Sequence, residues 1–379
     1  MRDGWKAVQL GEVCTLQRGF DLPTQDRRSG AFPLISSSGT IDTHDEARVR
    51  GPGVITGRSG SIGKVFYIED DFWPLNTTLY VRDFHGVDPK FIYFLLSGFD
   101  LESYAGGTGV PTLNRNDVHG KFVNVPTDIS EQQRIVAILD EAFEGIATAK
   151  ANAEKNLQNA VDLARSHLDA SLSHHGAGYV ETTLGAEVEL LPGYAFSSKG
   201  YTEDAAGVRL LRGDNIMQGY LRWEEAKYWS ADDCASHIRF ALAEGDVVLA
   251  MDRPWVKAGL KRAQISNDDL PSLLVQRTAR LRPRQGLLKD FLFQLTGSPS
   301  FSRHLLAVQT GSGVPHISGK QIESFRFMKP PLQTQAVIAA NVAELQQKTE
   351  VLAYNYDAKL TALDELKKSL LHQAFSGRL

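Results

Sequence analysis

The octet Gly57-Arg58-Ser59-Gly60-Ser61-Ile62-Gly63-Lys64 has the glycine content of a phosphate loop. A nucleotide-binding loop needs four residues between its glycines and a Ser or Thr after the lysine to hold magnesium. Here five residues separate Gly57 from Gly63, and Val65 follows Lys64, so the octet reads as a tight glycine-rich turn between strands. Glu365-Leu366-Lys367 has nuclease-like spacing but sits in a long helical pattern, without the strand and distal aspartate that chemistry requires. His174-His175 lies in a Gly/Ser-rich hinge and lacks the i,i+4 geometry of a metal pair. The chain has no Asn-Pro-Pro-aromatic tetrapeptide for base methylation, no glycine fingerprint for a nucleotide cofactor and no serine in a nucleophile elbow. A self-contained enzyme is not expected, and neither a catalytic residue, a cofactor nor a metal site is assigned.

Binding chemistry is better represented. Between residues 253 and 284 stand Arg253, Lys257, Lys261, Arg262, Arg277, Arg280, Arg282 and Arg284, against only Asp268 and Asp269. Trp255 adds a planar surface. Clustered cations neutralise phosphates, and Arg, Asn and Gln make bidentate contacts with base edges. The candidate nucleic-acid contacts in this half are therefore Arg212, Asn215, Arg253, Trp255, Lys257, Lys261, Arg262, Gln276, Arg277 and His316. In the first half they are Arg58, Ser59, Lys64, Asn76, Thr77 and Asn114. A solvated basic loop has the same composition, and turn chemistry alone accounts for the Gly and Pro beside Asn114 and His316.

The elements that carry these residues occur twice. Residues 106–118 echo residues 310–322 around a shared Gly-Val-Pro, and each copy then reaches a proline (Pro126, Pro330) and a glutamine (Gln132, Gln335). Leu10-Gly11 and Gly19-Phe20 match Leu184-Gly185 and Gly193-Tyr194, and Asn76-Thr77-Thr78 matches Gln276-Arg277-Thr278. Most of the length difference falls in residues 212–275. Short alternating apolar runs such as 53–56, 64–68 and 78–81 predict strands, and 89–97 and 289–296 predict short buried helices.

A long helix follows each globular part. Ser130 and Gln133 offer a capping box for the first. Ile135, Leu139, Ala142, Ile146, Ala149 and Ala153 then form a heptad seam, and Leu157, four residues on, introduces a stutter. The second seam runs Ile338, Val342, Leu345, Thr349, Leu352, Tyr356, Leu360 and Leu363, with its stutter at Tyr356 to Leu360. Some 40 residues make a rod of roughly 60 Å. Gly176 and Gly377 stand where C-terminal caps belong. Two rods of equal length beside globular parts of unequal length point to a spacer or docking surface.

At 379 residues, 42% hydrophobic and 23% charged, the chain is a folded multi-domain protein. Two cysteines, Cys14 and Cys234, exclude a disulfide framework, and no run reaches a membrane span. Without an apolar signal core behind the N-terminal charges, a cytoplasmic location is expected. The net charge of -4 argues against a nucleic-acid binder only as a sum. Residues 129–178 carry 4 basic and 7 acidic groups, whereas 179–333 carry 19 and 17.

The closing residues Leu366-Lys-Lys-Ser-Leu-Leu-His-Gln-Ala-Phe-Ser-Gly-Arg-Leu379 resemble the end signature of specificity subunits of type I restriction-modification systems. Pro126 to Asp140, with Glu131-Gln132 before Ile135, resembles that family's passage from recognition domain into conserved helix. With the tandem repeat, the resemblance covers essentially the whole chain. It departs at Thr334-Gln335, which replaces Glu-Gln, and at Ala170-Ser171-Leu172-Ser173, which replaces Ala-Phe-Ser-Gly.

The resemblance implies an α+β fold with a pseudo-twofold internal repeat. Two mixed α/β target-recognition domains (1–128 and 179–333) alternate with two long helices (129–178 and 334–379) that pair as an antiparallel coiled coil. It further implies a bipartite double-stranded DNA target and half-sites spaced by the helices. Two modification subunits would supply S-adenosylmethionine and flip out adenines, and restriction subunits would use ATP and magnesium. No membrane partner is implied. Alternatives are the specificity partner of a motor-less methyltransferase-nuclease, and a tandem-repeat coiled-coil scaffold that binds no DNA.

Overall fold

The structure, a computed structural model, describes residues 4–107, 109–173, 176–256, 259–310 and 315–379. The chain forms two compact units: Met1–Lys155 with Tyr356–Leu379, and Asn156–Asn355. Each long helix, Ile129–Ser173 and Leu332–Phe375, contributes to both.

Both units use one strand plan. In the first, Trp5–Gln9 pairs antiparallel with Phe122–Pro126 just before the long helix begins. A four-stranded sheet runs in the order Thr15–Arg18, Thr78–Asp83, Gly53–Gly57, Val65–Ile68. A three-stranded sheet runs Gly39–His44, Phe32–Ser36, Trp73–Pro74. The second unit repeats this order with Val188–Pro192, Thr278–Pro283, Val247–Ala250 and Arg262–Gln264, then Lys227–Trp229, Val208–Leu211 and Ser272–Leu274. Its closing pair is Val180–Thr183 with Arg326–Lys329.

The repeat extends to single hydrogen bonds. Gly19 N–H donates to the Thr78 carbonyl at 3.1 Å, and Gly193 N–H donates to the Thr278 carbonyl at 2.9 Å. A Cβ at Gly19 would lie 2.2 Å from the Leu75 oxygen, and one at Gly193 2.0 Å from the Val275 oxygen. Backbone passes too close for any side chain, which explains why both copies have glycine there.

Each globular part shares a core with helix segments. In the first unit, Leu10, Leu16, Val54, Phe91, Ile92 and Leu96 pack with Ile135, Leu139, Leu371 and Ala374. Phe375 meets Phe91 edge-on at 5.3 Å, and Phe143 meets Phe94 likewise. In the second, Phe291, Phe301 and Leu305 pack with Leu168, Leu172, Ile338 and Val342. Within the first unit Arg134 donates to the Leu379 carbonyl and Lys150 pairs with Asp364. Partners descend as residue numbers rise, so the helix segments run antiparallel.

The first heptad seam faces inward as expected. Ile135, Leu139, Ile146 and Ala153 are buried, and Ala142, Ala149 and Leu157 are half-buried. The second differs at one position. Leu352 turns outward, 37% exposed, and Ala353 takes the inward place. Its two successive four-residue steps therefore fall at Leu345, Thr349 and Ala353 rather than at Tyr356 and Leu360. The expected Ser130 cap is also displaced. Ser130 is already helical, and the Asp128 carboxylate accepts its backbone N–H at 3.0 Å. Gly377 does close the second helix, in the left-handed region at φ +71°. Near Gly176 the left-handed residue is Gly178, while His174 and His175 lie outside the described residues.

The octet at 57–64 joins antiparallel strands, with Gly60 and Gly63 both at φ +86°. It is a hairpin turn, not a strand-to-helix phosphate loop. The second copy's extra length holds the 212–226 connection and a 3-10 stretch over Ala231–Phe240. A further helix, Pro299–Val308, had no sequence expectation because its apolar face is short. Among the described residues no helix is long and apolar enough to cross a membrane, and no group of three or more metal-ligating side chains occurs.

Candidate nucleic-acid interface

In the first unit three segments are laced into one rim. Arg58 N–H donates to the Thr77 carbonyl at 2.8 Å, and Leu113 N–H donates to the Arg58 carbonyl at 2.8 Å. Ser59 bridges to Thr112, and the Thr77 hydroxyl accepts Ser37 N–H at 3.4 Å. Arg58 Nη1 donates to the Asn76 carbonyl at 3.3 Å, while the Asn76 amide binds the Asp21 carboxylate, which also pairs with Arg18 at 3.0 Å. Beside this rim lies a cleft of about 840 Å³ lined by Arg18, Arg58, Arg82, Asn114, Arg115 and Asn116 among others.

Asn114 is partly committed, because its side-chain oxygen accepts Asn116 N–H at 3.1 Å and caps helix Arg115–His119. That helix is fixed through Leu16: the His119 ring accepts its N–H at 2.9 Å and Arg115 donates to its carbonyl at 3.4 Å. Burial, and then the Arg115 charge, lower the His119 pKa, as suits a neutral acceptor. Lys64 is exposed and lies outside the cleft lining.

The second unit builds the same frame with other side chains. Met251 N–H donates to the Arg277 carbonyl at 2.8 Å, and Ile317 N–H donates to the Met251 carbonyl at 2.8 Å. Asp252 bridges to His316 as Ser59 does to Thr112. The Asp252 carboxylate accepts Arg277 Nε at 3.2 Å and His316 Nδ1. Arg253 and Arg277 adopt φ of +46° and +66°, and Arg253 N–H is held by the Pro315 carbonyl at 3.0 Å. Left-handed backbone at a non-glycine residue is unfavourable and gathers at functional positions. Trp255 Nε1 donates to Gln309 at 2.8 Å. Burial lowers the Lys261 pKa, Asp214 opposes this, and Arg222 and Arg253 add to it, which places those three charges around the ammonium.

Residues 2–158 match the family model described as the type I restriction modification DNA specificity domain. The MjaVIII type I restriction enzyme specificity subunit of Methanocaldococcus jannaschii is 23% identical over 100% of this chain and 93% of its own length. Residues 2–158 thus match the family's specificity domain, and the whole chain is similar to a type I specificity subunit. The EcoAI specificity subunit of Escherichia coli is 34% identical over 47% of the chain, and that match spans 30% of the relative's length. In fold, the chain is similar to one solved in a study of complex assembly and conformational transition of the type I R-M system. The TM-score is 0.80 at 19% identity, covering 100% of this chain and 99% of that one. The HsdS subunit from Thermoanaerobacter tengcongensis aligns with TM-score 0.61 at 20% identity, over 100% and 98% of the two chains.

The remaining sequence candidates separate by burial. Arg262 is not at the rim. Its guanidinium is buried over the Phe293 ring at 4.0 Å and donates to the Phe293 carbonyl at 2.7 Å, and burial brings its pKa down to about 10. Asn215 is buried too, accepting Arg212 N–H at 3.0 Å and donating to the Arg222 carbonyl at 3.0 Å, so it shapes the 212–226 connection. Arg212 donates to the Glu225 carbonyl at 3.1 Å within that connection. Gln276 is exposed beside Arg277, and Lys257 lies outside the described residues.

The basic run 253–284 is thus not one cationic surface. Arg280 is spent on Glu189 at 2.6 Å, and Arg282 on Asp246 at 2.7 Å, because their strand lies between two others in the sheet. Asp252, Arg222, Arg18, Arg82 and Arg115 were missed by sequence reasoning. The repeat offset was the usable signal, since it aligns His316 with Thr112, next to Asn114 and Arg115.

Proposed function

We propose that this chain is the DNA sequence-specificity subunit of a type I restriction-modification complex. Recognition domains 1–128 and 179–333 each read one half of a bipartite double-stranded target. The long helices 129–178 and 334–379 set the spacing and dock two modification subunits, with restriction subunits joining them. Methylation chemistry, with S-adenosylmethionine, resides in the modification subunits, and ATP and magnesium act in the restriction subunits. The chain contributes recognition without catalysis, in the cytoplasm.

One observation carries the reading beyond family similarity. Two backbone hydrogen bonds and one bridge of the frame recur in both copies, while the side chains displayed on it change from Ser59, Thr77 and Thr112 to Asp252, Arg277 and His316. A constant frame with exchanged donors and acceptors is what reading two different base sequences demands. Rim contacts of this reading are Arg58, Ser59, Asn76, Thr77 and Asn114 in one copy, and Arg253, Trp255, Lys261, Gln276, Arg277 and His316 in the other.

The test is to map methylated adenines in DNA from cells expressing the chain with its modification subunit. A bipartite motif with an unspecified spacer is expected. A single continuous motif, or no modification, would overturn the proposal.

A further inference from the structure

The two frames differ in charge as well as in hydrogen bonding. The cleft of the first copy presents Arg18, Arg58, Arg82 and Arg115, and no Asp or Glu lines it. Arg58, Arg82 and Arg115 are held by neutral oxygens, those of Asn76, Gln17 and Leu16, at 3.3 to 3.4 Å. Among the described residues none of these three has a carboxylate partner, and only Arg18 shares its charge, with Asp21. Neutral, long hydrogen bonds aim a guanidinium without neutralising it.

The second copy places other residues at the corresponding positions. Pro192 aligns with Arg18, since each stands opposite the same position of the neighbouring strand, Ala279 or Leu79. Met251, buried, aligns with Arg58. Arg282 aligns with Arg82 but makes two 2.7 Å bonds to Asp246. Gly319 aligns with Arg115, and Leu190 closes over it so that a Cβ would meet Leu190 at 3.0 Å.

We propose that the first copy alone carries a seat for the DNA phosphodiester backbone, formed by Arg18, Arg82 and Arg115 with Arg58. This rests on the DNA-binding reading above and deepens it. The first recognition domain anchors the duplex through sequence-independent charge, and the second, its Arg277 and His316 held by Asp252, contributes less to affinity. Guanidinium groups suit this role because their planar fork matches a phosphate. Such contacts position the duplex without reading sequence.

The test uses the full chain and a fluorescent random-sequence duplex, titrated over a range of KCl concentrations. Each phosphate contact contributes about 0.9 to the log-log salt slope. The triple variant R18A/R82A/R115A is expected to lower the slope by about 2 to 3 and weaken low-salt binding roughly tenfold or more. Lysine at the same three positions should restore the slope, which a merely structural role would not produce. If the alanine variant fails to fold, Arg115→Glu, a single change at an exposed helix position, should still lower the slope. A folded alanine variant with the parent's slope overturns the seat alone. Failure of the parent chain to bind duplex with any salt dependence overturns the DNA-binding reading, and the seat with it.

Discussion

The side-chain carbonyl of Gln335 accepts the backbone N–H of Leu288 at 2.9 Å, while its amide donates to the Pro330 and Gly286 carbonyls at 2.8 and 3.0 Å. Gln132 repeats the arrangement, accepting Asp88 N–H at 2.9 Å and donating to Pro126 at 3.1 Å. Each glutamine is buried at the start of a long helix and joins the last strand of a globular part to the short helix of its core. The departure of Thr334-Gln335 from the family's Glu-Gln therefore leaves this clamp intact.

Gln335→Leu strands a buried N–H and two carbonyls, each worth about 1 to 3 kcal/mol when unmet. We expect a loss of about 2 to 5 kcal/mol by urea denaturation, and a comparable loss for Gln132→Leu. A loss below about 1 kcal/mol in either would show that the clamp is not structural.

Asp252 holds both Arg277 and His316, so Asp252→Asn should free Arg277 and remove a negative charge from the rim. Duplex binding should tighten several-fold at low salt, and the methylated motif should relax in one half-site only. Relaxation in both halves, or an unaltered motif and affinity, would contradict the assignment of this cluster to a single half-site.

Burial pushes the Asp169 carboxyl upward, but bonds from Arg303 at 3.0 Å and from Ser300 outweigh it and hold its pKa below the ordinary value. A depressed carboxyl contributes stability above its unfolded pKa of about 3.9, and that stability is lost as pH falls through the folded value. Asp169→Asn should reduce stability near neutral pH and flatten the fall in stability below about pH 4. Parallel stability-pH curves for the variant and parent would exclude the link.

Inserting one heptad into either long helix should change the spacer of the methylated motif or abolish assembly, leaving the half-site sequences unaltered. An active complex with an unchanged spacer would remove the spacing role of the helices.

Much of the architecture was legible in the residues. Gly19 and Gly193 recur because the neighbouring backbone leaves no room for a side chain, and Gln132 and Gln335 because each clamps a strand end to a short helix, and such constraints show in one sequence when it holds two copies. The first helix seam was readable for the same reason: heptad spacing is local. The second seam was misread by one residue because Leu352 and Ala353 are both apolar, and only packing decides which turns inward. The interface was least legible. Arg262, Arg277 and Arg282 are indistinguishable as letters, yet one is buried under Phe293, one lies at the rim on Asp252, and one is neutralised by Asp246. The sequence alone determined that one folding unit is used twice with a long helix after each. Tertiary structure decided which charges remain for a partner, because a guanidinium's availability depends on acids and carbonyls brought near it from distant parts of the chain.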